Sequence, residues 1–395
     1  MRIRELGAGE RPAVSMPIEA YAFRPSPADA DTIERAEHRQ RYHEGDVVLV
    51  AEENGEALAV TSALSMPQNL RGTVYPMAGV AGVATLPLAR RHGCAHALVT
   101  EALGLMRDRG HVLSTLYPFR PSFYQRYGYA GLPISRTVTF APENFAHLLR
   151  AGLPGKLTWE PASSGYAAYR AFTERLLTER HGFAVVPAYR AVQFADSGNR
   201  WLAMAWDGGE AIGAVSYRIT GYGGVLAADD LLAASPLGRA LLLQFFARHT
   251  DQVREIEVQV PPGEFAELWG TDVAMVTRAA TSFPGGRAPM ARVLSLTALA
   301  GLPVGRERVV IQVVDDPYIA GTYLLDGRAG SLEVTTKAGP EAEATLTAAG
   351  LSGLVYGVLD GDEVVVRGLG EMPGECAARL GTLFPRRVPQ LFAQF

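Results

Sequence analysis

Two apolar runs near the N-terminus, Val47–Glu52 and Ala57–Met66, flank the dipeptide Asn54-Gly55. Both turn residues tolerate the positive φ of a tight two-residue turn, so the pattern predicts a β-hairpin. A third run, Tyr75–Thr85, is apolar and built of small residues, with Gly79 and Gly82 inside it. Glycine within a strand marks a bulge or a place where another group comes close to the main chain. After the basic stretch Arg90-Arg91-His92-Gly93-Cys94-Ala95, the residues Ala97, Leu98, Ala102, Leu103 and Met106 recur near a 3.6 period. That spacing predicts a helix over Cys94–Arg109, ended by Gly110, and His111–Tyr117 then predicts another buried strand. The order is a meander of antiparallel strands, a loop, a helix and a strand.

The same pattern recurs downstream. Ala51–Leu64 lies over Ala205–Arg218 without a gap, matching Gly55-Glu56-Ala57 with Gly209-Glu210-Ala211 and Ser62 with Ser216. Gly223–Ala228 supplies the next strand and Pro236–Ala247 the next helix, joined through Ser235-Pro236-Leu237-Gly238. Ser235 stands where Arg90 stands in the first copy, and Pro236 removes an amide. The second copy therefore reads as a duplicate that does not bind what the first binds; the alternative is a chance self-match of two hairpins. Phe283–Pro289, rich in Gly and Pro, reads as a boundary. Beyond it the pattern predicts strands at Val309–Val314, Thr322–Asp326 and Ser331–Thr335, and turns at Asp326-Gly327 and Asp360-Gly361-Asp362. Helices are predicted at Ala348–Leu359 and Ala377–Phe384, the mixture of a small α+β layer domain.

Composition narrows the class. At 395 residues the chain is long enough for two or three domains. It is 48% hydrophobic and 20% charged, as ordinary soluble proteins are. No apolar run approaches the roughly 18 residues of a membrane span. The longest candidate, Ala240–Ala247, is broken by Gln244, and the first residues hold no apolar core of a secretory signal. Cys94 and Cys376 make neither a disulfide framework nor a zinc site, which favours a reducing cytoplasm. A net charge of −4 argues against nucleic acid as the main partner. Arg386-Arg387 reads as a solvated surface pair.

The basic loop carries the first chemistry. Free amide hydrogens at a helix start, with the helix dipole behind them, suit phosphate oxygens. Gly93 and Ala95 keep no bulk between those amides and a ligand. The spacing Arg90-x-x-Gly93-x-Ala95 after a strand resembles the acyl-CoA pyrophosphate loop of GNAT acyltransferases; the alternative is an ordinary basic first turn of a helix. Then comes the aromatic segment Leu116–Tyr129, LYPFRPSFYQRYGY. At this distance from the loop, and with the aromatic end LFPRRVPQLFAQF, it resembles the enhanced intracellular survival (Eis) family of GNAT acetyltransferases.

That resemblance implies a mixed α/β (α+β) fold. Tandem GNAT domains, catalytic at 1–150 and degenerate at 151–286, would precede a sterol-carrier-protein-like α+β domain at 287–395. It implies an acetyl-CoA-dependent N-acetyltransferase acting by direct transfer on a primary amine such as a lysine, a peptide or an aminoglycoside-like molecule. Tyr124 would be the general acid and the α-carboxylate of Phe395 the general base. Acetyl-CoA would meet Val83, Ala84 and Thr85, the loop residues Arg91, His92, Gly93, Cys94, Ala95 and His96, and the pair Phe119 and Arg120. Phe23 would line the acceptor pocket. The family also implies a homohexamer; the residues and charge themselves argue against metal, nucleic acid or membrane as partner.

The chemistry is sound on its own terms. An amine of pKa ~10.4 arrives protonated, and something must take that proton before nitrogen attacks a thioester. An α-carboxyl of pKa ~3.5 is a poor base unless burial raises it, which predicts that Phe395 is tucked inside with its ring as anchor. A phenol near ~10 gives its proton to a thiolate near ~8.5 uphill by roughly 2 kcal/mol unless the site lowers the phenol's pKa. Other readings stay beside these. Tyr124, Tyr127 and Tyr129 also suit sheet packing, and Cys94 at a helix start suits a nucleophile or simply a small residue. His92 and His96 lie four apart, but no HExxH glutamate accompanies them. Gly82 stands where the family can carry a bulky aromatic, and Phe392-Ala393-Gln394-Phe395 holds no acid besides the terminal carboxylate. Those departures predict a roomier, less anionic pocket and put multi-site aminoglycoside acetylation in doubt. A non-catalytic acyl-CoA or lipid carrier, or an assembly scaffold, is the rival class.

Overall fold

Asn54 and Gly55 both take positive φ, 53° and 86°, and join β2 (Val47–Glu53) to β3 (Glu56–Leu70) as the sequence predicts. A second such turn, Arg71-Gly72 at 52° and 97°, leads into β4 (Thr73–Thr85). With β1 (Arg2–Glu5) on the outer edge these strands form an antiparallel meander. The helix between β4 and β5 (Leu113–Leu116) is the right length for a crossover, and β4 and β5 accordingly pair in parallel. The structure is a computed structural model that describes residues 1–27, 29–282, 288–336 and 341–395.

Residues Met1–Leu132, Arg180–Ala191 and Ser282–Phe395 make one compact unit, and Pro133–Glu179 with Val192–Thr281 make another. In the first, the sheet runs β1-β2-β3-β4-β5 and continues with Met290–Val293 and Ala130–Gly131. Three helices serve the site: α1 (Arg11–Phe23), α3 (Cys94–Asp108) and the short α4 (Pro121–Gln125), with α2 (Ala30–His38) between the first two. α3 buries Leu98, Val99, Ala102, Leu103 and Met106 against one face of the sheet, the face its periodicity selects. α1 covers the other face through Ile18, which meets Val48, Val50, Val60 and Ala84.

A second sheet in this unit runs in the order Glu333–Thr336, Gly321–Asp326, Arg308–Val314, Ala344–Thr347 and Gly370–Glu371. Helices Ala348–Val355 and Gly374–Leu383 pack into one apolar cluster that also contains Leu64, Met77 and Leu113 of the first sheet. The predicted helix Ala348–Leu359 stops at Val355, because Gly357 turns to φ 72° and the chain bends away. Asp360 is a helix cap rather than a plain turn. Its carboxylate accepts from the Glu363 amide at 2.9 Å and starts a further helix, Gly361–Val366. Of the boundary Phe283–Pro289, residues 283–287 lie outside the described residues.

The other unit repeats the element order of the first. Trp201–Asp207 and Glu210–Ile219 form a hairpin whose turn, Gly208-Gly209, again has two positive φ angles. Gly224–Asp230 and Val253–Val260 pair in parallel, joined through helix Pro236–Ala247. This helix start is closed: Ser235 Oγ accepts from the Gly238 amide at 3.1 Å, and Pro236 has no amide to offer. That cap fills the place where the first copy leaves its amides open.

Candidate active site

β4 and β5 hold together from Met77 opposite Leu113 to Val80 opposite Leu116, and there the pairing stops. β5 ends while β4 continues to Thr85, so the two strands part. Just beyond the parting, Ser62 faces Ala81 and Val60 faces Ala84, so Gly82 and Val83 together oppose Thr61. Gly82, at φ 60°, supplies the left-handed conformation that such a bulge needs. A cavity of about 330 Å³ opens at this place, walled by Val80, Ala81, Gly82 and Val83 of β4, by Tyr117, Phe119 and Tyr124, and by Phe395.

The start of α3 offers donors beside the same strand. Gly93 caps it at φ 84° without a side chain, and Arg91 before it also sits at positive φ, 67°. The amides of Cys94, Ala95 and His96 form the first turn and meet no acceptor among the described residues. Arg91 and His92 are exposed, Cys94 is buried with its thiol against the Ala89 carbonyl, and His96 bonds through Nδ1 to the Tyr127 hydroxyl at 2.7 Å. Arg90 Nε donates to the Thr85 carbonyl at 3.2 Å. Val83 lines the cavity, whereas the Ala84 side chain is buried on the α1 face, so only its main chain is available there. Phe119 lines the cavity; Arg120 is exposed and precedes α4.

Tyr124 comes from α4, which Pro121 starts at its first position. Its side chain is 3% exposed and packs edge-on against Phe119, Phe123 and Tyr129. Burial pushes the Tyr124 phenol well above its ordinary pKa, so the lowering that the sequence argument asked for is not supplied. The loop beyond is firmly held. Arg292 donates to the Tyr127 carbonyl and, at 2.9 Å, to Asp316, both side chains being fully buried, and Ser352 Oγ donates to the Gly128 carbonyl at 2.9 Å. Tyr129 reaches Ser114 Oγ at 2.6 Å, and Ser114 donates to the Ala78 carbonyl at 2.8 Å.

The chain's last residues enter this site. The Phe395 ring stands edge-on to Tyr117, with centroids 5.7 Å apart, and covers Gly79, where a side chain would collide with it. Tyr117 donates to the Ala393 carbonyl at 3.0 Å, Phe392 stacks on Phe183 at 4.7 Å, and the Gln390 amide donates to the His181 carbonyl at 2.9 Å.

Sequence reasoning missed the polar wall. Glu19 and Phe23 of α1 line the cavity together with His43, Ser62 and Arg190. Behind them the buried Asp46 accepts from Arg190 at 2.5 Å and Tyr189 at 2.8 Å, with His43 Nδ1 at 3.0 Å. The expectation of a less anionic pocket was drawn without this wall, which brings an acid, Glu19, together with the basic side chains of His43 and Arg190. Neither Glu19 nor Arg190 carries a motif; an acid four residues before Phe23 on one helix was the only available signal. Among the described residues no group of three His, Cys, Asp or Glu converges as a metal site would, and no helix is long and apolar enough to cross a membrane.

Residues 2–131 match the family model of the acetyltransferase (GNAT) domain. No curated protein shows significant sequence similarity to the chain. Among solved structures, a probable N-acyltransferase of Enterococcus faecalis V583 is similar at 20% identity and TM-score 0.83, covering 100% of this chain and 99% of that one. A GCN5-related N-acetyltransferase from Anabaena variabilis gives 17% and 0.82, covering 99% of each chain. Eis1 from Mycobacterium abscessus gives 21% and 0.79, covering 100% of this chain and 99% of that one. At such identities the likeness establishes the fold over the whole chain. The parted strands, the open helix start and the family match agree: residues 2–131 are a GNAT acetyltransferase domain, the kind that performs acyl-CoA-dependent transfer, and the chain is an acyltransferase.

Proposed function

We propose that the chain transfers an acetyl group from acetyl-CoA directly to a primary amine, with Tyr124 as general acid and the Phe395 carboxylate as general base. The observation that carries this is that Tyr124 and the last residue line one cavity where β4 and β5 part. The open amides of Cys94, Ala95 and His96, with Arg91, His92 and Gly93 before them, suit the CoA diphosphate. Main-chain amides of Val83, Ala84 and Thr85 suit the thioester oxygen as charge gathers on it, and Phe119 and Arg120 flank the approach. Phe23 offers the acceptor an apolar edge. Phe395, held by its ring and by the tail behind it, would keep its carboxylate in place between turnovers.

The reading extends to the Eis-like plan. We infer a catalytic domain at 1–150, a degenerate second GNAT domain at 151–286, and a sterol-carrier-protein-like domain at 287–395, assembled as a homohexamer in the cytoplasm. The repeated element order and the Ser235 cap support the degenerate copy. A lipid carrier draws no support from a cavity walled by Glu19, His43 and Arg190.

Release of the CoA thiol over a panel of primary amines tests the activity. Tyr124→Phe should lower kcat by about 100-fold or more while acetyl-CoA binding stays near wild type. One residue added after Phe395 should abolish turnover by displacing the base. Wild-type rates in both variants would overturn these roles.

A further inference from the structure

We propose that Glu19 is a second proton acceptor in this cavity, taking the first proton of the incoming ammonium beside the β4 bulge; the inference rests on the acetyltransferase reading above. Going from an ammonium ion to an amide, nitrogen sheds two protons. A single carboxylate would have to be cleared between them, and two carboxylates would not.

Glu19 stands in the right place. It lines the cavity that Tyr124 and Phe395 also line. Its Oε1 would lie 3.6 Å from a side-chain carbon at Gly82, and Ser62 Oγ would lie 3.4 Å from it. Gly82 has no such carbon, so the space between the Glu19 carboxyl and the bulge is open at the amides proposed for the thioester oxygen. Among the described residues nothing donates a hydrogen bond to this carboxylate. The carboxylate is half-buried and faces the cavity, and the groups beside it spend their hydrogen bonds on Asp46, with Arg190 Nε buried and without an acceptor. Asp46 takes the hydroxyl of Tyr189 and the nearest nitrogen of Arg190, and His43 is held on Asp46 as well.

The charges facing Glu19 are Arg24 at the end of its own helix, His43 and Asp46 before β2, Arg190, and, from across the cavity, the Tyr124 phenol and the terminal carboxylate. Desolvation dominates among them and raises the Glu19 carboxyl above its ordinary pKa. A raised carboxyl accepts an amine's proton better than an ordinary α-carboxyl does.

The step balances. Glu19 takes one proton from the ammonium; the freed nitrogen pair forms the N–C bond to the thioester carbon. The second N–H proton goes to the Phe395 carboxylate, the C–S bond breaks with its pair on sulfur, and Tyr124 gives sulfur a proton. One of the two carboxyl protons restores Tyr124 and the other leaves to water. Acetylated amine, CoA thiol and one proton result.

The test is the pH profile of kcat/KM for wild type, Glu19→Gln and Glu19→Asp in the full chain, with acetyl-CoA titration reporting the fold. Glu19→Gln should lose about 100-fold at neutral pH and regain most of it near the amine's own pKa, where the amine arrives deprotonated. Glu19→Asp should keep the wild-type profile shape at about a tenth of its height. An equal loss for Glu19→Gln at every pH, or none at pH 7, overturns the proposal. If Glu19→Gln fails to bind acetyl-CoA, an aspartate variant at full wild-type rate overturns it instead. Should Glu19→Gln be fully active while Tyr124→Phe and the extended C-terminus are inactive, only this inference falls. No thiol release by wild type with any primary amine overturns both.

Discussion

Gly79 decides whether the last residue can reach the site. A side-chain carbon there would stand 2.3 Å from Met66 Cε and 2.8 and 3.0 Å from the Phe395 ring. Met66 is flexible at that end, and the Phe395 ring is the far end of a side chain, so both can yield while the sheet does not. Gly79→Ala should therefore cost little stability, about 1 kcal/mol, and move the terminal carboxylate by about an ångström. Misplacement on that scale lowers turnover by about 10-fold or more, with acetyl-CoA affinity unchanged. Steady-state kcat beside a thermal melt checks this; an unaltered kcat would show that the position of Phe395 does not matter. The sequence announces that something approaches the strand at Gly79, since glycine weakens a strand unless space is required. It does not say that the visitor is the chain's own end, 316 positions away, because that contact obeys no local period. Tyr124 was legible for the opposite reason, as part of a dense aromatic segment, while its elevated phenol pKa depends on burial that only the folded chain reveals.

Among the elements, those governed by local chemistry were readable and those governed by distant partners were not. Asn54-Gly55, the 3.6 period of α3 and helix Pro236–Ala247 carry their own signals. Met290–Val293 is a strand only because β5 needs a partner, and Arg180–Ala191 takes its place in the first unit through contacts with the tail and with Asp46. His181 shows what that segment does. The Arg71 amide donates to its Nδ1 at 3.0 Å and its Nε2–H donates to the Tyr356 carbonyl at 2.9 Å, so the neutral ring is the bound form. Burial depresses its pKa to about 4. The unfolded chain takes up that proton near pH ~6.5, so the contribution of this contact is full above pH ~6.5 and is lost as the pH falls through that value toward about 4. The loss is roughly 3 kcal/mol over the window. A glutamine at 181 can accept and donate in the same two directions without titrating. His181→Gln should thus reduce the drop in stability between pH 6.5 and pH 4, measured by urea unfolding; identical drops in the two proteins would refute the assignment.

At the scale of the whole molecule, the proposed catalytic site is assembled from three stretches of chain that belong to one unit: Met1–Leu132, Arg180–Ala191 and Ser282–Phe395. A fragment of residues 1–150 retains the loop proposed to hold the diphosphate and Tyr124 but loses three things at once. β5 loses Met290–Val293, which leaves a row of unpaired main-chain groups beside Leu113 and Leu116, both fully buried in the intact chain. Leu64, Met77 and Leu113 lose the apolar partners that Leu351, Leu354 and Phe384 supply. Buried leucine and phenylalanine side chains each contribute about 2 kcal/mol, so uncovering such a set removes stabilisation comparable to the net stability of a typical domain. Arg71, buried at the turn before β4, loses the carbonyls of Leu354, Val355 and Pro385 that hold it in place. The fragment should therefore collect in the insoluble fraction or, if recovered, show no cooperative thermal transition by circular dichroism, whereas the full chain should melt cooperatively. A soluble 1–150 fragment that melts sharply and binds acetyl-CoA would show that the N-terminal sheet closes without its distant strand, and the dependence of the site on residues 282–395 would then reduce to the placement of Phe395 alone.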